Sequence, residues 1–472
     1  MSKHTRMPNA TRCPLANHTT GRTQTAVPSP ASSFSTDQVS LNAVSVTALP
    51  SPPSSYTSER SAPSATLIWV SRISGFLLPF NLYVLPWMNQ TPRTTDMLAL
   101  VYAVFVLGTV AITRKVYWQP TYRAYGMFVL LLPMLWHGVQ AGGLTPMVLP
   151  IRYTVAIFAA LGLWYLVGQN ETRRVFFKGV IVGCVCCAIV PVLQFMGFLS
   201  LTKTLGLAAN DVVAAKFFGN RVWRVPGMEK HVNGSAVIIG LGVPCALGLL
   251  DEKRSGMLWL GLALAALFTG SAVTLNRASV IVSMLLLAAW FLLARRSSIS
   301  TPRKVIVVMV VVALIVYVGP PGGWERWHRL QNLADYKGFQ VRVTTFIAAL
   351  DLLLHNPMGV GKAYETLLLT YTKNTATHNA ILQMGLLAGL PFALYMTGKL
   401  LLLSVSILVR GGFVEGWISG YLLGIFFFEE YLAIPTLVTI VVWLMIVPIE
   451  RLWRVKSDRE IRTGKTPLKQ AA

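Results

Sequence analysis

Long apolar runs alternate with short polar connections along most of the chain, starting near residue 67. Most of these runs are about as long as the ~18–20 residues that a helix needs to cross a ~30 Å hydrocarbon core. By length and hydropathy we predict membrane spans at roughly 67–88, 95–113, 124–141, 146–167, 175–199, 235–250, 256–273, 277–294, 304–319, 379–409, 412–430 and 431–449. The pattern predicts an all-α polytopic membrane protein with about 12 transmembrane helices.

Composition supports this class and limits the interpretation of the charge. Hydrophobic residues make up 54% of the 472 residues and charged residues 12%, about half the charged fraction of a soluble domain. The net charge of +23 therefore does not require a nucleic-acid partner. Lysines and arginines that hold cytoplasmic loops in place account for much of it. Five cysteines, three of them crowded into one apolar run, indicate packing and not a disulfide framework.

Three regions differ in composition. Residues 1–65 are rich in Ser, Thr and Pro, and we predict that they are disordered because they cannot bury a core. Residues 66–450 form the predicted membrane domain, and residues 451–472 a basic cytoplasmic tail. Membrane lipids are the expected surroundings of the middle region.

Basic residues in the short loops predict the orientation. When twelve spans are counted, one side collects the basic groups of 114–123, 173–178, 253–254, 295–304, Arg410 and the tail. The positive-inside rule makes this side cytoplasmic, so both termini are predicted to be cytoplasmic. The two longest loops, 200–234 and 320–378, then lie on the outer face. We predict that the second of these is large and partly helical.

The stretch from Arg342 to Pro391 indicates a site in that second loop. Its first half has apolar residues at helical spacing (Phe346, Ala349, Leu350 and Leu353), and the pattern stops at His355-Asn356-Pro357. Gly359 and Gly361 then allow a tight backbone path. His378 follows, immediately before a long apolar run. A structured polar loop that ends in a histidine at the mouth of a helical bundle is typical of a functional site.

Arginines on the predicted outer face break the charge bias of the loops. Arg221 and Arg224 lie in the first long loop, Arg277 lies at the outer end of a span, and Arg342 lies in the second long loop. Guanidinium groups bind phosphate through two parallel hydrogen bonds, so several of them around one cavity suit a lipid diphosphate. The alternative for any one of them is an arginine that snorkels to lipid headgroups. Arg326 and Arg329 fit an amphipathic surface helix better.

Four motifs together resemble the O-antigen ligase and polymerase superfamily over about residues 170–445. They read R-V-P-G-M-E-K-H-V-N from Arg224, T-G-S…N-R-A-S around Arg277, R-x-x-x-F-x-x-A-L…N-P-x-G-V-G from Arg342, and H-N-x-x-L-x-x-G-x-x-A-G-L from His378. The chain departs from the family where Asn276-Arg277-Ala278 replaces the common S-R-G, and where Phe346 replaces a frequent Trp. Neither departure changes an arginine or the histidine.

The resemblance implies a glycosyltransferase with a GT-C-like helical bundle at the periplasmic face of a bacterial inner membrane. Its implied donor is a glycan on undecaprenyl diphosphate, and its acceptor is the lipid A core in ligases or another lipid-linked repeat in polymerases. Carried over by motif, Arg277 and Arg342 hold the diphosphate, with Arg224 as a further contact. His378 acts on the acceptor hydroxyl. We place His231, Asn233 and Asn379 beside this site.

Neither a metal nor another cofactor is expected, because the outer loops contain no D-x-D pair and arginines can replace a cation. Direct attack by the acceptor hydroxyl inverts the anomeric carbon. A single compact second loop favours a ligase, with a polymerase and a protein O-oligosaccharyltransferase as alternatives.

A transporter of lipid-linked glycan is the rival from another class. Lys399, deep in the span 379–409, favours it, whereas Arg72, Arg152 and Lys178 are near enough to span ends to snorkel.

Overall fold

A computed structural model describes fourteen ranges of the chain: residues 64–81, 93–113, 118–168, 170–198, 213–217, 220–225, 227–228, 232–252, 257–274, 276–293, 301–318, 337–410, 413–429 and 434–447. Residues 1–63 of the predicted tail 1–65 and the whole predicted tail 451–472 lie outside them. Ser64 and Ala65 are described and are ordered, as the N-cap and the first residue of the first helix. Within these ranges the helices are α1 (Ala65–Leu77), α2 (Thr94–Thr113), α3 (Trp118–Ala141), α4 (Leu144–Leu166), α5 (Asn170–Phe195), α6 (Val232–Glu252), α7 (Met257–Val273), α8 (Arg277–Leu293), α9 (Thr301–Val318), α10 (Lys337–His355), α11 (Tyr364–Thr372), α12 (Ala380–Ala388), α13 (Leu390–Arg410), α14 (Val414–Phe428) and α15 (Pro435–Ile446).

The predicted all-α polytopic fold is confirmed. Each of the twelve predicted spans contains a described helix, and five helices among the described residues have the length and composition to cross a membrane. The gap between α14 and α15 agrees with the predicted break at Glu429. One departure from an all-helical chain is a hairpin in the loop 200–234, where β1 (Val213–Phe217) pairs antiparallel with β2 (Asn220–Arg224).

Helix α6 forms the centre of the bundle. Its side chains are buried along almost its whole length, from Ser235 to Leu250. Gly242 on α6 lies against Cys184 of α5 and Leu267 of α7, so the three helices approach closely at this level. Cys184 and Cys245 are fully buried, which agrees with their interpretation as small packing residues.

The predicted span 379–409 is wrong as a single helix. It consists of α12 and α13, separated at Gly389, whose φ of 99° lies in a region that L side chains rarely adopt. The predicted span 67–88 is also only partly helical among the described residues, because α1 ends at Leu77.

The segment 356–361, N-P-M-G-V-G, packs against this break. The backbone N–H of Val360 donates to the carbonyl of Leu386 at 2.7 Å, and that of Leu390 donates to the carbonyl of Pro357 at 2.7 Å. A Cβ at Gly359 would lie 2.8 Å from the Leu386 oxygen, so this position must remain glycine for the contact to form. Interrupting a helix inside an apolar bundle exposes backbone polar groups, and this segment pairs two of them.

The second long loop is partly helical, as predicted. α10 ends at His355, followed by a 3-10 turn at Gly361–Ala363 and then α11. The buried side of α10 is a narrow stripe of Thr345, Ala349 and Leu353. Leu353 lies against Gly385 of α12. Phe346 and Leu350, which the spacing had suggested for the same face, are exposed.

Two charged residues within the predicted spans have protein partners. Arg152 does not snorkel: its guanidinium bonds both carboxylate oxygens of Asp96, at 2.8 and 3.0 Å. Lys399 is buried, and its Nζ donates to the carbonyl of Val447, the residue that caps the C-terminus of α15. A lysine at a helix C-terminus meets unpaired carbonyls and the negative end of the helix dipole.

Candidate functional site

The N-terminus of α8, which begins at Arg277, lies at the same end of the bundle as the C-terminus of α14. Val282 of α8 packs against Gly424 of α14, and Leu286 packs against Gly420, so the two helices run antiparallel. One helical turn beyond the first pair places Arg277 at the level of Phe428. We call this the His378 end of the bundle, because the candidate histidine also lies here.

Two further elements reach the same helix terminus. Arg342, near the start of α10, donates through Nη1 to the carbonyl of Phe428 at 3.4 Å. Asn379 lies 3.5 Å from the carbonyl of Phe427 through Nδ2. Asn379 is also the N-cap of α12, where its Oδ1 accepts from the backbone N–H of Leu382 at 2.9 Å. The structure therefore brings together Arg342, Asn379 and the carbonyl end of α14.

His378 is held by a tight turn directly before α12. Its φ of 52° is left-handed, as is the φ of 57° at Lys373 five residues earlier. A left-handed histidine is uncommon, and such geometry persists only where the surrounding structure holds it. The turn places Asn374 beside the imidazole, with Asn374 Nδ2 at 3.3 Å from His378 Nε2.

The surroundings of His378 favour a neutral ring. Partial burial lowers the pKa of His378 below its ordinary value, and the positive charge of Arg342 lowers it further. A neutral imidazole has one nitrogen able to receive a proton, which is the state that a general base requires.

Arg277 and Arg342 have no carboxylate within ion-pair distance among the described side chains. Arg342 is exposed and Arg277 is partly buried in the first turn of α8. Cationic groups at the mouth of an apolar bundle, without a carboxylate partner in the described structure, suit an anionic ligand.

Asn276, next to Arg277, carries a donor without an acceptor in the described structure. Its Oδ1 accepts from the backbone N–H of Ser279 at 2.9 Å, which leaves Nδ2 as the other polar atom of the amide. That nitrogen is buried and has no hydrogen-bond partner among the described residues. A buried N–H left unpaired is costly, so we expect its acceptor to lie outside the described residues.

The remaining candidates are only partly described. Arg224 ends strand β2, but its side chain lies outside the described part of the chain, as do His231, Arg326 and Arg329. Asn233 lies in the first turn of α6, partly buried. The Oγ of Ser279 donates to the carbonyl of Ala236 at 2.8 Å, so the first turns of α6 and α8 are at the same end of the bundle.

Sequence reasoning missed Asn276, Asn374 and the carbonyls at the end of α14. Asn276 carried a detectable signal, since Asn directly before an apolar helical run is a preferred N-cap. The other two depend on a turn and on a helix terminus that are distant in sequence from their partners.

Arg277, Arg342 and His378 all lie in one segment that is similar to a known protein family. Residues 261–396 match the family model described as O-antigen ligase. The predicted resemblance to the O-antigen ligase and polymerase superfamily is thereby confirmed over this segment. The match contains all three residues and the helix break, and it supports an O-antigen ligase/polymerase-type membrane glycosyltransferase. The comparison with curated proteins gave no match.

Proposed function

We propose that this O-antigen ligase-type protein transfers a glycan from undecaprenyl diphosphate to an acceptor hydroxyl at the periplasmic face of a bacterial inner membrane, with both of its termini in the cytoplasm. The favoured acceptor is the lipid A core. The observation that carries the proposal is the position of His378 and Arg342 at the carbonyl end of α14, with Arg277 at the same end of the bundle. All three lie in the segment matched to the family.

In the proposed step the acceptor oxygen attacks the anomeric carbon of the donor sugar. A new carbon–oxygen bond forms as the bond from that carbon to the diphosphate oxygen breaks. The electron pair of the broken bond leaves on the diphosphate, and the proton of the acceptor hydroxyl passes to His378. Attack opposite the leaving group inverts the anomeric configuration.

Arg277 and Arg342 stabilise the leaving diphosphate. Negative charge grows on the bridging oxygen as the bond breaks, so fixed guanidinium groups bind the transition state more tightly than the ground state. The Nδ2–H of Asn276, which has no partner among the described residues, is proposed as a further donor beside Arg277. Arg224 is proposed as an additional contact from the first long loop, with His231 and Asn233 beside it.

We propose that the arginines take the place of a cation. Transfer by the purified protein is therefore expected to survive EDTA. Loss of activity in EDTA, with recovery on adding magnesium or manganese, would contradict the arginine-for-metal role without affecting the choice of His378.

The transporter hypothesis loses its main support. Lys399, the charge that favoured it, is buried and bonds the carbonyl of Val447 at the end of α15. The break at Gly389 resembles the discontinuous helices of transporters, where unwound backbone binds an ion or substrate. Here the segment 356–361 supplies hydrogen bonds to the backbone at the break.

A deletion strain tests the proposed function. Loss of glycan-capped lipopolysaccharide, with intact polyprenyl-linked polymer, is the result expected for a ligase. Caps of a single repeat would instead indicate a polymerase, and an unchanged lipopolysaccharide with loss of glycosylated protein would indicate a protein O-oligosaccharyltransferase. Accumulation of undecaprenyl-linked glycan on the cytoplasmic side would support a transporter and overturn the proposal.

A further inference from the structure

The amide of Asn374 can be oriented from its own contacts. The backbone N–H of Ala376 points at Asn374 Oδ1, at 3.2 Å, and an N–H must face an acceptor. The oxygen is therefore on the Ala376 side of the amide. The NH₂ group is then the part of the amide that lies 3.3 Å from His378 Nε2.

This orientation determines which ring nitrogen of His378 carries the proton. An amide NH₂ can donate but cannot accept, so the nitrogen facing it must present a lone pair. In a neutral imidazole one nitrogen is protonated and the other is not. With Nε2 accepting from Asn374, the proton is on Nδ1.

We propose that Asn374 is a positioning residue that holds His378 in the Nδ1–H tautomer, so that Nε2 is the atom that receives the acceptor's proton. This inference rests on the proposed function, in which His378 is the general base. It also assigns an order of events at the ring, because Asn374 occupies the site that the acceptor hydroxyl must reach. The incoming hydroxyl replaces the amide at Nε2.

The geometry of the turn suits such an exchange. The distance of 3.3 Å is longer than the usual 2.9–3.0 Å for an N–H donor, so the amide is a weak partner that a hydroxyl can displace. The amide itself is anchored independently of the ring, through Ala376. The backbone of Asn374 is anchored as well, because its N–H donates to the Thr372 hydroxyl. Displacement from the ring therefore leaves the turn intact.

Two substitutions at Asn374 separate this role from a structural one. Asn374→Asp keeps an oxygen for the Ala376 N–H, but its second oxygen now faces the ring, accepts from an N–H and favours the proton on Nε2. Asn374→Ala loses the bond to Ala376 but leaves Nε2 free to be basic. We expect Asn374→Asp to lower kcat by about 10²-fold or more, since a positioned base is worth roughly 10²–10⁴. Asn374→Ala should lose less than about 10-fold, with KM near normal in both.

A merely structural role predicts the opposite order, with the aspartate variant more active than the alanine variant. That order would overturn the inference. Thr375→Asp is the matched control, because it adds the same charge at an exposed neighbouring position of the turn. It is expected to transfer glycan at close to the normal rate. A loss equal to that of Asn374→Asp would mean that charge alone, and not the tautomer, explains the effect.

The tautomer can also be measured without glycan transfer. The chain has seven histidines, so the ¹⁵N ring signals of His378 are assigned by their absence in His378→Ala protein in lipid nanodiscs. We expect a protonated Nδ1 and an unprotonated Nε2 in the parent protein, reversed in Asn374→Asp. The reverse tautomer in the parent protein would refute the inference whatever the enzyme's activity. If the tautomer is as expected but His378→Ala transfers glycan normally, then His378 is not the general base and that part of the proposed function is wrong.

Discussion

The two ends of the bundle treat their arginines differently. Opposite the His378 end, Arg173 at the start of α5 bonds Glu415 at 3.0 Å and also Glu252, while Arg174 bonds Glu252 at 3.1 Å. Arg173 and Arg174 lie in the first turn of α5, Glu252 ends α6 and Glu415 lies in the first turn of α14, and we call this the Arg173 end. At the His378 end no described carboxylate pairs with Arg277 or Arg342.

The difference teaches what each group of charges is for. A buried carboxylate such as Glu415 is costly without a charge partner. The arginines and carboxylates of the Arg173 end therefore pair with one another and hold the helices together. Arginines without a carboxylate partner among the described residues have donors left for an anion that arrives from outside. Substitutions at the Arg173 end should therefore change stability, and substitutions at the His378 end should change transfer.

Removal of the imidazole should have the largest effect. His378→Ala is expected to lower transfer by roughly 10²–10⁴-fold, the usual contribution of a positioned base. Donor binding should change little, because the arginines remain. In vitro transfer and donor binding would be measured on one preparation. His355→Ala is the control, since that ring is exposed and bonds the backbone of its own helix. Near-normal turnover by His378→Ala would show that His378 is not the base. Either His231 would then be the base, or transfer would proceed without one.

Removing the ion pairs of the Arg173 end should destabilise the protein without changing the rate of transfer per folded molecule. Arg173→Ala leaves Glu415 buried and without its charge partner, which for buried pairs costs roughly 3–5 kcal/mol. We expect a lower melting temperature in detergent or nanodiscs and normal transfer per folded molecule. The comparison between the two ends fails if the folded variant has lost transfer.

Exchange of arginine for lysine separates the two ends without removing charge. Lysine cannot form the two parallel hydrogen bonds to phosphate, so Arg277→Lys and Arg342→Lys should each reduce kcat/KM by about 10-fold or more at normal expression. Arg174→Lys, at the Arg173 end, is the matched control and should transfer normally. Equal losses at both ends would contradict the assignment of the diphosphate site.

A shift in pH dependence is the smallest expected effect. Partial burial lowers the pKa of His378, the charge of Arg342 lowers it further, and the ring acts as a base only when neutral. Transfer is therefore lost as the pH falls through that pKa. Arg342→Gln removes the charge and raises the pKa, so the loss should begin at a higher pH than in the parent protein. Arg342→Lys keeps the charge and should keep the acid limb of the kcat profile. Identical acid limbs in all three proteins would show that the charge of Arg342 does not influence the pKa of His378.

The fold was largely predictable because its signals are local. Long apolar runs predicted the helices, and the stop at His355-Asn356-Pro357 predicted the end of α10. The break at Gly389 was missed, although a run of about thirty apolar residues exceeds what one span needs and contains G-L-P. Hydropathy alone does not distinguish one tilted helix from two.

Neither the ion pairs within the bundle nor the contacts of the site were predictable, because they depend on how the chain folds. Arg152 was expected to snorkel, but its partner Asp96 is on another helix. Lys399 suggested a transport path until the end of α15 was found beside it. For Asn374 and Asn276, the decisive fact is which way an amide faces, and that depends on backbone N–H groups that only the folded chain positions.

The two hydrogen bonds between segment 356–361 and the α12–α13 break, which we call the clasp, have a consequence for building hybrids of related enzymes. α12 is about 13 Å long, so the clasp lies well below the level of His378, and the second long loop is not a detachable surface module. A chimera that exchanges the loop only up to His378 would place segment 356–361 of one enzyme against the α12–α13 break of the other. Backbone N–H and C=O groups at the break would then lack their hydrogen-bond partners. The unit to exchange in such a hybrid therefore runs from Arg342 through Leu390.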